Sequence, residues 1–125
     1  MVDKFRYYWD NSDESRFVIA LGTGWTWQDY VAIIDEIHAI IAKKNHDVNL
    51  IMDWQASLPP GKDAMSALKH SGGTQPPNLR HTVMVNKSTR FLDILVKNTD
   101  RKEGWVGPKI VQNLDDAREY LETLD

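Results

Sequence analysis

Apolar and polar positions change period several times along this chain, and each change marks an element. The opening FRYYWD is aromatic and extended in character, NSDES supplies turn formers, and RFVIALG resumes a strand pattern. An antiparallel hairpin is therefore predicted at the N-terminus. Beyond Gly22 and Gly24 the period becomes helical: Trp27, Tyr30, Val31, Ile34, Ile37, His38 and Ile41 recur at steps of three and four. Thr26, with Asp29 three residues on, reads as a capping box that starts this helix. Lys43 and Lys44 are placed in its last turn, and Asn45, His46 and Asp47 end it. The strand VNLIMDW follows, with Val48, Leu50 and Met52 on one side and Asn49, Ile51 and Asp53 on the other. It is mostly apolar on both faces, as a strand covered from both sides would be.

The second half is more interrupted. LPPGK is a connector whose prolines forbid strand continuation, and DAMSALKH forms a short helix with Ala64, Ala67 and Leu68 inward. SGGTQPPN is a loop that leads into the strand RHTVMVN. Ser88 or Thr89 caps a third helix through Phe91, Leu92, Leu95 and Val96, and NTDRKEGWVG is a further irregular connector. Pro108 fixes the entry to a short strand around Lys109 to Val111. Asn113 caps the last helix with Asp116 at its third position, and Ala117, Tyr120, Leu121 and Leu124 form its buried stripe. The expected architecture is α/β: a mixed, mostly parallel sheet of about five strands with an antiparallel N-terminal strand and about four helices.

Composition narrows the classes of function. A chain of 125 residues has material for one core, so a single domain over 1–125 is expected. The net charge of -3 argues against a nucleic-acid partner held by bulk electrostatics. Without cysteine there is no disulfide, no thiolate nucleophile and no Cys-ligated metal. No run reaches the roughly 20 apolar residues of a transmembrane helix, and MVDKFRYYWD lacks a signal-peptide core, so a cytoplasmic location is expected.

Candidate chemistry is sparse. LGTGW lacks the third glycine of a dinucleotide turn and the lysine of a P-loop, so Gly22 and Gly24 are read as a turn into the first helix under Trp25 and Trp27. The four histidines, His38, His46, His70 and His81, are dispersed and form no H-x-x-x-H spacing, so no metal site and no cofactor are assigned. His38 on the apolar helix face is read as a hydrogen-bonded core histidine. Asp53 ends the central strand, where parallel sheets present functional groups. Ser57 lies four residues on, Lys62 stands in PPGKD where an anion can bind, and Asn86, Lys87 and Ser88 end the next strand. Five Trp and four Tyr exceed obvious core need. Strand alternation cannot bury Tyr7, Tyr8 and Trp9 together, and aromatics near Trp54 or Trp105 are candidates for a contact surface. No catalytic residue is assigned.

The order of elements, the strand NLIMDW ending in Asp, the run PPNLRHTVMVNKS and the ending IVQNLDDAREYLETL resemble the STAS and SpoIIAA-like domains over nearly the whole chain. That resemblance implies a mixed sheet with helices on one side and a mostly non-enzymatic module. Its members include anti-sigma-factor antagonists, modules attached to anion transporters, and stand-alone domains, some of them binding lipids or nucleotides. The antagonists carry an Asp-Ser-x-Gly phosphoacceptor motif after the central strand. Here the matching stretch is WQASLPPGKDAMS, and neither Ser57 nor Ser66 inherits that role.

The leading expectation is a non-catalytic STAS-like binding or regulatory module that meets a protein or a small apolar or anionic ligand around Asp53, Trp54, Ser57, Lys62, Asn86 and Ser88. One alternative is a small enzyme or anionic-cofactor binder using Asp53 and Lys62 with a histidine. Another is a self-associating domain, a homodimer, with Tyr7 or Trp9 exposed on an edge strand.

Overall fold

The computed structural model describes residues 5–54, 66–67, 69–70, 73–86 and 109–124. Five strands form one sheet in the order β1 (Phe5–Trp9), β2 (Arg16–Leu21), β3 (Val48–Trp54), β4 (Leu79–Val85) and β5 (Lys109–Val111). β1 is antiparallel to β2, and every later pair is parallel. The predicted hairpin and mixed sheet are thus present. Its turn is built by Asn11, whose Oδ1 accepts from the Ser15 and Arg16 amides while its Nδ2 donates to Ser15 Oγ. Glu14 takes the one positive φ of a non-glycine residue among those described, 54°.

β3 and β4 slip out of register between Val48, which pairs with Leu79, and Leu50, which pairs with Thr82. β4 carries the extra residue there, and Asn49 Oδ1 accepts the His81 amide at 3.2 Å. A side chain thereby replaces the ladder bond that the irregularity removes.

Two helices are complete among the described residues, α1 (Trp27–Ala42) and α2 (Leu114–Thr123). This corrects the expectation of about four. Both combine a cap with an apolar stripe. Thr26 Oγ1 accepts from the Asp29 amide and Asp29 Oδ2 accepts from the Thr26 amide, closing the capping box, and Asn113 Oδ1 accepts from the Asp116 amide. Ser66, Ala67, Lys69 and His70 have helical backbone, but the bounds of that segment, and all of the predicted helix through Phe91 to Val96, fall outside the described residues. Lys43 is the C-cap of α1, so neither it nor Lys44 lies within the last turn as predicted.

The helices lie on opposite faces of the sheet. Phe17, Ile19, Leu21, Val48, Leu50, Met52, Trp54 and Met84 pack with Tyr30, Ile34, Ile37 and Ile41 of α1. The alternate residues Val18, Ile51, Val83 and Val85 pack with Ala117 and Leu121 of α2. The implied one-sided arrangement is therefore corrected, and the cause is legible in β2 and β3, which are apolar at successive positions and need cover on both faces. Burying each of Ile34, Ile37 and Ile41 contributes about 2 kcal/mol. No helix among the described residues is long and apolar enough to cross a membrane.

Candidate functional site

The parallel strands end together. Leu21 pairs with Trp54, Asp53 with Val85, and Val85 with Val111, so their C-terminal ends form one mouth. Asn86 ties that mouth: its Nδ2 donates to the Trp54 carbonyl at 3.1 Å and its amide donates to the Val111 carbonyl at 3.0 Å. Alternation along β3 sends Asp53 to the α2 face, partly exposed, between Ala20 of β2 and Val85 of β4. The loop from β2 opens here through Gly24, whose φ of 82° suits glycine, and Trp25 Nε1 donates to the Gly22 carbonyl at 2.8 Å. α1 and α2 both begin at this end. Their first turns bring Asp29, Asp115 and Asp116, so the described rim is acidic.

Trp54 is 3% exposed and belongs to an aromatic cluster on the α1 face. Its ring stacks on Tyr30 at 5.6 Å and lies 5.7 Å from Trp25 and 6.2 Å from Trp27. Its Nε1 is buried without a hydrogen-bond partner, a costly state for an indole donor. Trp54, expected as a ligand or partner contact, is thus a ring packed inside at the mouth. Tyr7 and Tyr8, 40% and 37% exposed, are the outward aromatics among the described residues.

Of the six predicted contact residues, the structure gathers Asp53, Trp54 and Asn86 at the mouth. Ser57, Lys62 and Ser88 lie outside the described residues, as do Lys87 and Trp105.

Two further polar centres stand away from the mouth. At the opposite end of the sheet Asp10, its side chain 6% exposed, accepts from Arg16 Nε at 2.7 Å and from Arg118 Nε and Nη2 at 3.0 and 2.9 Å. Burial alone would raise the Asp10 carboxyl, but the hydrogen bonds and charges of Arg118 and Arg16 outweigh it and hold it below its ordinary value. The sequence reading missed this centre. Asp10 at the end of FRYYWD was the available signal, but its Arg118 partner is more than a hundred residues away, a distance no local pattern spans.

His38 is the buried core histidine expected, 6% exposed, with Nδ1 3.1 Å from Thr74 Oγ1. Burial depresses its basicity; the nearby Asp35 opposes that and His70 adds to it. His70 Nε2 itself lies 2.8 Å from Asp35 Oδ1. No group of three or more His, Asp or Glu among the described residues is arranged to hold a metal ion. No family model, no curated protein and no solved structure matches this chain.

Proposed function

We propose that this chain is a STAS-like binding or regulatory module without chemistry of its own, which meets its partner at the mouth of the sheet. The observation that carries the reading is the build of the strand ends. The Asn86 bond to the Trp54 carbonyl joins β3 to β4, so the neighbouring Asp53 is offered to solvent from a fixed backbone.

The acids Asp29, Asp115 and Asp116 in the adjacent helix starts favour a protein surface or a neutral apolar molecule over an anion. The first-turn amides of Asp29 and Asp116 are already taken by Thr26 and Asn113, which weakens the case for an anion at the helix ends. What supports the STAS resemblance is the mixed sheet with an antiparallel first strand. What departs from it is the helix on each face.

Native mass spectrometry of the full chain, freshly purified from cells beside Asp53→Lys, tests the proposal. The expected spectrum has a bound small molecule or a stoichiometric protein partner that the variant loses while its circular dichroism is unchanged. A bare wild-type chain, or an adduct that the variant retains, contradicts it.

A further inference from the structure

The two edges of the sheet are unequally protected. β5 is three residues long and places the exposed Lys109 on its edge, features that discourage strand addition. β1 is five residues long, FRYYW, with Arg6, Tyr7 and Tyr8 exposed in succession and no proline or lysine in the strand.

The hairpin register fixes which backbone groups of β1 are open. The Asp10 amide donates to the Arg16 carbonyl, and Asp10 and Arg16 continue the β1–β2 register. By the alternation of antiparallel ladders, Tyr8 and Arg6 also bond toward β2, so Phe5, Tyr7 and Trp9 turn their N–H and C=O groups outward. A second copy laid antiparallel with Tyr7 opposite Tyr7 uses all of them.

That register is self-complementary in its side chains. It sets Phe5 of one copy against Trp9 of the other, on the face where both already pack on the core, and Tyr7 against Tyr7. On the other face it sets Arg6 against Tyr8 twice. These are the non-hydrogen-bonded pairs, in which side chains approach more closely, a geometry that suits a guanidinium over a phenol ring. No like charges meet within the two β1 strands, and Arg118, which lies near Tyr8 on this face, has its charge engaged by Asp10.

We propose that β1 is a homodimer interface, in which two copies join edge to edge about Tyr7 and continue the sheet across a two-fold axis. The occupant is a second copy rather than a foreign strand because the symmetric register satisfies both the outward backbone groups and the Arg6 cation with residues of β1 itself. The contact is small, one strand per subunit, so the dimer is reversible, with a dissociation constant on the order of tens to hundreds of micromolar. It is independent of the mouth and of any partner there.

The test is sedimentation velocity of the full chain from about 1 µM to about 1 mM, with Tyr8→Glu, Tyr8→Lys and Tyr7→Pro. Wild type is expected to pass from monomer to dimer. Tyr8→Glu, facing Arg6, tightens the dimer about fivefold, and Tyr8→Lys weakens it by a similar factor. Tyr7→Pro deletes an outward N–H without touching the β1–β2 ladder and leaves a monomer throughout. Should Tyr7→Pro lose its fold by circular dichroism, the Tyr8 pair decides alone, since both act on an exposed position. A wild type that stays monomeric to 1 mM, or a dimer indifferent to the sign of the charge at position 8, overturns the proposal. A dimer lost in Asp53→Lys but kept in Tyr8→Lys overturns it as well, because the copies would then meet at the mouth.

Discussion

The two ends of the sheet are built for different work. At the end where the parallel strands begin, polar side chains close on one another: Asp10 with Arg16 and Arg118, Lys44 Nζ with Glu14 Oε2 at 3.0 Å, and Asn78 Nδ2 on the carbonyls of Ile41 and His46 at 2.7 and 3.1 Å. Asn78 thereby satisfies backbone at the C-terminus of α1 while its own carbonyl accepts the Val48 amide. At the other end stand a partly exposed Asp53, the Asn86 clasp and a buried indole N–H without an acceptor. The polar groups of the first end hold the hairpin and helices to the sheet, whereas those of the second join strand ends through Asn86 and leave Asp53 partly exposed. The same division places ligands at the carboxyl ends of strands in open α/β sheets.

Perturbing the tied end should cost the most stability. Asp10→Ala leaves two guanidinium groups without their carboxylate and is expected to lower unfolding free energy by about 3 kcal/mol, read by urea denaturation. Asn78→Ala removes the clasp at the end of α1 and should cost about 1.5 kcal/mol by the same measurement. At the mouth, Trp25→Phe abolishes the bond to the Gly22 carbonyl, whereas Trp54→Phe deletes a donor that has no partner. Trp54→Phe should therefore be the milder of the two by about 1 kcal/mol, and equal losses would break the contrast.

Acid separates two contributions. The folded pKa of His38 lies below 6.5, so its contribution is complete above that pH and is lost as pH falls from there through the folded value. The folded pKa of Asp10 lies below 3.8, so its contribution is complete above that pH and disappears only as pH falls further, through its own folded value. Unfolding free energy against pH should show both declines. His38→Gln should flatten only the first, and a single decline shared by wild type and variant would contradict the assignment.

Much of the frame is legible in the residues because local rules govern it. Thr26 and Asp29 announce α1, Asn113 and Asp116 announce α2, and the alternation of RFVIAL and VNLIMDW marks strands apolar on both faces. The reading of both faces as apolar was the better guide to helix placement than the implied one-sided fold. The position of Asp53 and Asn86 at the strand ends is legible from strand direction alone. The burial of Trp54 is not legible locally, because ring packing among Trp25, Trp27, Tyr30 and Trp54 depends on α1 folding over the strand end. The Asp10 centre was invisible because a hairpin residue and a C-terminal helix residue meet only after the sheet has formed.

The division between the ends is tested most directly by parallel urea unfolding of Asp10→Asn and Asp53→Asn, two substitutions identical in chemistry. The account predicts a loss of about 2 kcal/mol for Asp10→Asn, which forfeits charged hydrogen bonds to Arg16 and Arg118, and a smaller loss for Asp53→Asn, whose side chain is partly exposed. Equal losses, or a larger loss at Asp53, would contradict it, because the mouth would then be part of what holds the fold together.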